Sequence, residues 1–193
     1  MSETRHIEVV EQLVEVFDSL GIAYAIGGSL ASSAYGASRF TQDADIVVQP
    51  FGPVAERFYD LVKDEFYISA EAMRQALTSC GSFNVIHFKT SFKIDIFIQG
   101  PGEFEKQLLA RRRTAKFSDV GSRALGIVSP EDIILLKLRW FRETGGTSDR
   151  QWSDVLGVLA VQGASLDFEY LTDSARKLGL GELLERARAE ADT

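Results

Sequence analysis

Cysteine and histidine are scarce in this sequence. One cysteine, Cys80, occurs among 193 residues, which excludes an internal disulfide and any zinc site built from several cysteines. The two histidines, His6 and His87, have no ligand spacing, and there is no recognisable Ser-His-Asp or Cys-His combination. The composition therefore gives no support to a hydrolase, and it predicts a reducing compartment such as the cytoplasm.

Long apolar segments are also lacking. No run approaches the ~18 apolar residues that a membrane-spanning helix needs. The first ten residues carry charged side chains and lack the apolar core that is found in signal peptides. We therefore expect a protein that has no membrane partner.

The charge balance is acidic, with 21 Lys and Arg against 28 Asp and Glu and a formal net charge of −7. This excess argues against general coating of nucleic acid, which depends on neutralising phosphates with basic side chains. A dense basic run, Arg111 to Arg113, allows two interpretations. It could guide an RNA acceptor, or it could be a solvated face of a helix.

Apolar spacing and turn residues divide the chain into two parts. Strand-like and helix-like segments are mixed up to about residue 128, whereas the segments from residue 129 onward are helical, and Ser129-Pro130-Glu131-Asp132 gives a strong helix start. This order predicts an α+β fold: a mixed β-sheet flanked by helices in residues 1–128 and a small C-terminal helical lobe in residues 129–193. The predicted strands cover residues 22–26, 44–49, 84–89 and 92–99, with a further pair between 115 and 128. The predicted helices cover residues 3–20, 29–37, 54–66, 71–77, 104–113, 129–140, 150–161, 168–177 and 182–190.

A glycine turn and two alternating aspartates stand at the centre of the first part. Gly27-Gly28-Ser29 follows the first predicted strand and precedes a short helix rich in small residues. Adjacent glycines let backbone N–H groups point together at an anion, and a helix start adds positive partial charge, so the turn predicts a phosphate cradle. Asp43 and Asp45 open the next strand, where residues two apart share a face and can offer oxygen ligands to magnesium.

A third aspartate lies on a later strand. Because side chains alternate along a strand, Asp95 lies on the face opposite to a row of apolar residues and beside Lys93 and Phe97. The apolar row consists of Phe92, Ile94, Ile96 and Ile98. Asp95 could join the first two aspartates in a site, or it could pair with Lys93 at the surface.

Together these residues resemble the signature of the DNA polymerase β-like nucleotidyltransferases, in which Gly-Ser, a spacer and Asp-x-Asp follow in this order. The run from Arg39 to Asp45 is similar to the Arg-x-Thr-x-Asp-x-Asp form of the small bacterial members, including the AbiEii-type toxins of type IV toxin–antitoxin systems. The resemblance implies the nucleotidyltransferase fold and two magnesium ions, with manganese as a substitute. It implies that Asp43, Asp45 and Asp95 are the catalytic residues and metal ligands.

The resemblance also implies a set of residues that bind the nucleoside triphosphate. Two of them have structural alternatives: Arg39 could pair with the aspartates, and Lys137 could extend from a packed helix face to solvent. Asp154 departs from the order seen in the family, and capping or an ion pair with Lys137 or Arg139 is its alternative role. The implied nucleotide-binding residues are Gly27, Gly28, Ser29, Arg39, Thr41 and Lys137.

The activity implied by the resemblance is transfer of a nucleoside monophosphate from a nucleoside triphosphate to a hydroxyl, with release of pyrophosphate. The expected acceptor is a tRNA 3′ end or a protein, and a cognate antitoxin is a further expected partner. Two alternatives remain open at this point. One is an enzyme that modifies a small molecule of the aminoglycoside type, and the other is a non-catalytic module that binds nucleotide and acts through a partner.

Overall fold

The computed structural model describes residues 3–36, 41–117 and 123–191, and the chain forms two units. The first unit comprises Met1–Gly27 and Phe40–Ile127, and the second comprises Gly28–Arg39 and Val128–Thr193. The predicted boundary at residue 128 lies next to the last of these divisions. Residues 28–36, however, pack with the C-terminal helices, whereas the sequence placed them with the sheet. The assignment of separate catalytic and helical domains stays a prediction.

The described residues form nine α-helices, seven strands and two short 3-10 turns. The helices are α1 (Glu3–Ser19), α2 (Gly28–Tyr35), α3 (Ala55–Val62), α4 (Ala70–Ser79), α5 (Glu103–Ala110), α6 (Pro130–Glu143), α7 (Asp149–Gln162), α8 (Phe168–Lys177) and α9 (Gly181–Ala191). The strands are β1 (Tyr24–Ile26), β2 (Asp43–Val48), β3 (Phe66–Ile68), β4 (Ser82–His87), β5 (Lys93–Ile98), β6 (Arg113–Ala115) and β7 (Leu125–Ile127). None of the described helices is long and apolar enough to span a membrane.

The first unit is built on one mixed sheet with the strand order β3-β4-β5-β2-β1-β7-β6. Two neighbouring pairs, β2 with β5 and β1 with β7, are parallel, and the other neighbours are antiparallel. The predicted hairpin of β4 and β5 is present as an antiparallel pair. These findings confirm the predicted α+β class and its mixed sheet flanked by helices.

The core of the first unit covers one face of the central strands. Buried side chains alternate with half-buried or exposed ones along β2 and β5, as period-two packing requires. Rings from α1 and α3 pack together in this unit, with the centroids of Phe17 and Phe58 5.4 Å apart. Each ring that is fully buried in this way contributes roughly 1.5–3 kcal/mol. The buried face of β2 and β5 consists of Ala44, Ile46, Val48, Ile94, Ile96 and Ile98.

Two short strands of the sheet replace predicted helix ends. The helix predicted to reach residue 66 ends at Val62, and the one predicted to reach residue 113 ends at Ala110. A strand of three residues is too short to show the two-residue period of β-structure. The helix predicted before each of these strands was therefore too long. The run Arg111 to Arg113 therefore passes from the end of α5 to the start of β6. Its interpretation as a helix face is wrong, and a contact with RNA stays a prediction.

The imidazole of His87 is buried at the end of β4. Its Nδ1 lies 2.9 Å from Thr90 Oγ1, and within the described residues its Nε2 has no hydrogen-bond partner. Burial lowers the pKa of His87; Lys89 lowers it further, and the Glu65 carboxylate 3.9 Å from Nε2 opposes the change. The folded protein therefore favours the neutral ring, whereas the unfolded chain takes up a proton below about pH 6.5.

Acidification through the unfolded-state pKa of His87 should consequently destabilise the fold. We expect the free energy of unfolding to fall between about pH 7.5 and pH 5.5, and His87→Gln should show a smaller fall because the variant has no titrating ring. Urea unfolding of both proteins at the two pH values checks this. An equal pH dependence in the two proteins would contradict it.

Helix α6, the first helix of the C-terminal part of the second unit, is capped at its N-terminus by Ser129. The Ser129 hydroxyl accepts a hydrogen bond from the Asp132 N–H and donates to Asp132 Oδ2 at 2.9 Å. Tyr170 from α8 donates to the other carboxylate oxygen at 2.6 Å. The Asp132 carboxylate is fully buried, and these donors offset the cost of removing it from water. The predicted helix start at Ser129 is confirmed.

Trp152 of α7 contacts both α6 and α9 in this unit. Trp152 packs 4.9 Å from the ring of Phe141 and donates its indole N–H to Glu190 at 2.7 Å. The guanidinium of Arg186 lies over the Trp152 ring at 4.3 Å. A cation over an indole face adds an electrostatic attraction to the apolar contact. Ring packing therefore joins α6 to α7, and a hydrogen bond and a cation–π contact hold the last helix against α7.

Close approach between α2 and α7 depends on a glycine. A Cβ atom added at Gly36 would lie 2.9 Å from the backbone carbon of Gly157 and from the backbone nitrogen of Val158. We expect Gly36→Ala to lower the free energy of unfolding by about 1–3 kcal/mol, because backbone atoms of a packed helix cannot yield as a side-chain tip can. Gly181→Ala is the matched control in the same unit, since its new methyl group would meet no atom within 4 Å. Chemical denaturation compares the two, and equal stability would contradict the prediction.

Candidate active site

The pairing of β2 with β5 brings the three predicted aspartates to one face of the sheet. These neighbouring parallel strands align Asp45 with Asp95 and Asp43 with Lys93. All four side chains are half-buried and lie opposite the apolar face of the same strands. The sequence could place each aspartate on a face of its own strand. The pairing of the two strands then brings these faces side by side.

Lys93 contributes a positive charge to this carboxylate cluster. Its Nζ lies 2.7 Å from Asp95 Oδ2. The hydrogen bond to Asp95 raises the pKa of the Lys93 ammonium, and the charges of Asp95, Asp43 and Asp45 raise it further, while partial burial acts in the opposite direction. The surface pairing that was the alternative role for Asp95 is therefore present. Its catalytic and metal-binding role stays a prediction.

Thr41 contacts the first aspartate of the pair. Its Oγ1 lies 3.0 Å from Asp43 Oδ1 and 3.1 Å from the Asp43 backbone oxygen, so the hydroxyl can donate to either acceptor. The Thr41 side chain is buried, and this contact limits the rotation of the Asp43 carboxylate. The nucleotide contact expected of Thr41 stays a prediction, and Arg39 lies outside the described residues.

Gly27 extends the ladder between β1 and β2. Its N–H donates to the Asp45 backbone oxygen at 2.8 Å, which fixes the backbone of the second aspartate. This N–H is therefore engaged, and any phosphate contact by the turn falls to later groups. The nucleotide-binding role of Gly27 stays a prediction.

The remaining turn residues begin α2 in the second unit. Gly28 has φ of +55°, a conformation that residues with a side chain rarely adopt. Ser29 follows it, and its backbone oxygen accepts a hydrogen bond from Ser32 Oγ at 3.1 Å. The glycine at position 28 thus has a local conformational reason. A phosphate contact by Gly28 and Ser29 stays a prediction.

Lys137 forms a buried ion pair within the second unit. Its Nζ lies 2.8 Å from Asp154 Oδ2, and the two side chains are 5% and 8% exposed. The ion pair suggested for Asp154 is therefore present, whereas extension of Lys137 to solvent is wrong because the ammonium is buried. The nucleotide contact implied for Lys137 stays a prediction.

The aspartates offer oxygen ligands of the kind that a hard divalent cation prefers, but their side chains do not form a complete set of metal ligands in this structure. In the described parts of the chain, no three His, Cys, Asp or Glu side chains are arranged so that they could hold a metal ion. The ion pair with Lys93 engages one carboxylate oxygen of Asp95. Carboxylate oxygens are the ligands that magnesium prefers, so the chemistry of the three side chains suits the ion, and their role as its ligands stays a prediction. What the sequence missed was the approach of Lys93 to Asp43 and Asp45, since this depends on pairing between distant strands.

The mixed sheet, its strand order and its flanking helices define the nucleotidyltransferase fold. The sequence matches no protein-family model and no curated protein. The structure is similar to the solution structure of the antibiotic-resistance factor ANT(2'')-Ia, with a TM-score of 0.64 and 15% identity over 98% of this chain and 100% of that chain.

Two further solved structures share this likeness. The crystal structure of ANT(2'')-Ia in complex with adenylyl-2''-tobramycin gives a TM-score of 0.58 and 14% identity over 89% of this chain and 97% of that chain. An antigenic nucleotidyltransferase-like protein from Paracoccidioides brasiliensis gives 0.57 and 16% identity over 98% of this chain and 94% of that chain. These likenesses establish the fold that the sequence predicted. The closer relation to AbiEii-type toxins stays a prediction.

Proposed function

We propose that the protein is a magnesium-dependent nucleotidyltransferase that transfers a nucleoside monophosphate from a nucleoside triphosphate to a hydroxyl group. The observation that carries the proposal is the alignment of Asp45 with Asp95 on adjacent parallel strands, with Asp43 on the same face. Three carboxylates on one face of two paired strands repel each other, and the single ammonium of Lys93 balances only part of their charge, so the cluster favours a further cation.

The three aspartates would hold the magnesium, which supplies charge neutralisation for the triphosphate and for the oxygens that attack and leave. Asp95 would also accept the proton of the acceptor hydroxyl, a role for which its carboxylate must part from Lys93. Thr41 restrains Asp43, and the Gly27 N–H fixes the backbone at Asp45. The resemblance also assigns phosphate contacts to Gly28 and Ser29, and these contacts are a further part of the proposal.

A small molecule is the acceptor that we favour. The similarity to ANT(2'')-Ia covers the full length of that protein, and one of its structures contains adenylyl-2''-tobramycin. The net charge of −7 suits a cationic acceptor better than RNA. Transfer to a tRNA 3′ end or to a protein, with an antitoxin partner, is the second candidate, and the motif from Arg39 to Asp45 favours it by resemblance.

Label transfer tests the activity and the acceptor together. The full chain is incubated with magnesium and each of four α-labelled nucleoside triphosphates, and total tRNA, a cell lysate or a panel of aminoglycosides is the acceptor. We expect labelled aminoglycoside and release of pyrophosphate, both abolished by EDTA. Label in tRNA or protein would replace the small-molecule acceptor with the second candidate.

The absence of transfer to every acceptor would contradict the catalytic proposal. In that case, measurable triphosphate binding would favour the non-catalytic module, because such a module needs nucleotide contacts but no proton acceptor. Equilibrium binding of an α-labelled triphosphate, measured on the same preparation, separates this outcome from an unfolded protein.

A further inference from the structure

An ammonium group lies among the carboxylates of the candidate active site. The register of β2 and β5 aligns Lys93 with Asp43, and the Lys93 Nζ contacts Asp95 at 2.7 Å. The charges of Asp43 and Asp45 also act on this ammonium. Lys93 is therefore placed to offset the mutual repulsion of all three aspartates.

This ion pair can open at low cost. The Lys93 side chain is 42% exposed and the Asp95 side chain is 22% exposed, so water competes with the pair. Exposed ion pairs contribute little to stability, and a lysine side chain can redirect its ammonium about four flexible carbon–carbon bonds. The Lys93 ammonium thus binds Asp95 in the absence of a divalent cation. A divalent cation can displace it at a small cost in free energy.

We propose that Lys93 is an internal counter-ion that competes with the divalent cation for Asp95. The inference rests on the proposed function in one respect, which is that Asp95 is a metal ligand. Lys93 is a positioning residue: it holds one oxygen of the Asp95 carboxylate when no divalent cation is bound, and a cation that takes this oxygen must displace the ammonium. The phosphates of an incoming nucleoside triphosphate offer that ammonium another anionic partner, so binding of the triphosphate favours release of Asp95.

Manganese binding in the absence of nucleotide tests the competition directly. Electron paramagnetic resonance measures free Mn²⁺ in titrations of the full chain and of Lys93→Met, which keeps most of the side-chain length and removes the charge. We expect the variant to bind Mn²⁺ roughly five- to tenfold more tightly, because the ion no longer displaces an exposed ion pair and no longer meets a positive charge. Lys93→Arg keeps the charge and should bind Mn²⁺ as the unchanged protein does.

Lys89 provides a matched control in the same unit. Its Nζ lies 2.8 Å from Glu65 Oε2, and its side chain is 73% exposed. Lys89→Met removes the same charge from a similar ion pair that involves none of the three aspartates. We expect its Mn²⁺ affinity to stay within about twofold of the unchanged protein, since exposed charges at a distance are screened.

Variants made in Asp95→Asn distinguish competition for the Asp95 carboxylate from a general effect of the Lys93 charge. In Asp95→Asn, the carboxylate for which Lys93 competes is absent and only the repulsion between the ammonium and the ion remains, so adding Lys93→Met should raise the Mn²⁺ affinity by clearly less than it does when Asp95 is present. An increase of the same size in both backgrounds would overturn the proposal. An unchanged, weaker or undetectable affinity in Lys93→Met alone would also overturn it.

Thermal unfolding in EDTA gives a readout that does not depend on metal binding. Lys93→Met should lower the melting temperature more than Lys89→Met does, because three neighbouring carboxylates lose their counter-ion, and saturating Mn²⁺ should reverse the difference. Lys93→Gln replaces Lys93→Met in both experiments if the latter does not fold. An equal effect of the two lysines in EDTA would count against the proposal.

The results also distinguish this inference from the proposed function. Nucleotidyl transfer together with an unchanged Mn²⁺ affinity in Lys93→Met would overturn the role of Lys93 and leave the transferase proposal intact. Tighter Mn²⁺ binding in Lys93→Met without transfer to any acceptor would support the competition and contradict the transferase proposal.

Discussion

Asp45→Asn is expected to lower nucleotidyl transfer by at least about 100-fold while the protein stays folded. Asp45 lies between Gly27 on one side and Asp95 on the other, at the centre of the carboxylate cluster. Asparagine keeps the size of the side chain but removes the charge that a divalent cation requires. The backbone contact from the Gly27 N–H to residue 45 does not depend on the side chain, so the ladder between β1 and β2 should persist.

Transfer rates from an α-labelled triphosphate and a thermal melt of each protein measure these two expectations. Asp60→Asn is the matched control, because Asp60 is 64% exposed, belongs to the same unit and pairs with Lys63 instead of the cluster. It should retain transfer within about twofold, as surface substitutions remote from a site usually do. Full activity in Asp45→Asn, or equal losses in both variants, would be incompatible with a catalytic carboxylate at position 45.

Lys137→Met is expected to lower the free energy of unfolding by about 3–5 kcal/mol. The substitution removes the ammonium that balances the charge of Asp154, and both side chains are almost completely buried. Removing one partner of a buried pair leaves the other charge in a poorly solvated place, which is why the loss exceeds that of a surface pair. Urea denaturation of the variant and the unchanged protein gives the difference.

A double variant separates the ion pair from a contact with nucleotide. Lys137→Met with Asp154→Leu removes both charges and should recover most of the lost stability, since apolar replacement of a buried pair is often neutral. Lys177→Met is the control for the single change: Lys177 pairs with Asp173 at 2.9 Å, but its side chain is 61% exposed, so we expect a loss below about 1 kcal/mol. A stable double variant that lacks transfer would indicate that Lys137 also serves the reaction, and one that retains transfer would restrict it to the ion pair.

Local patterns predicted the features that depend on neighbouring residues in the chain. The alternation along β5 placed Asp95 opposite its apolar row because side chains of a strand alternate with a fixed period. The start of α6 was recognisable because serine, proline and two acids all favour a helix N-terminus. The Asp154 ion pair was foreseen as one of several options, and the structure selected Lys137 as its partner.

Features that depend on contacts between distant segments were missed. No local signal states that β2 pairs with β5 in parallel, and this pairing is what places Lys93 beside Asp43. The sequence grouped α2 with the sheet because small side chains do not specify a packing partner, whereas α2 packs in the unit of α6 and α7. The strand β3 was not predicted because three residues show too little periodicity to distinguish a strand from the end of a helix.

The assignment of α2 to the second unit has a consequence for synthesis of the chain. The hydrogen bond from Gln162 Nε2 to the Tyr35 backbone oxygen joins residues 127 positions apart. At the usual rates of translation, the ribosome needs roughly 6–25 s to make the intervening chain. During this time α2, whose Leu30 and Ala31 are buried in the complete chain, lacks its partners α6 and α7. A fragment that stops at residue 127 would lack these partners permanently, so we expect it to expose apolar residues of α2 and to aggregate, although it contains every strand of the sheet.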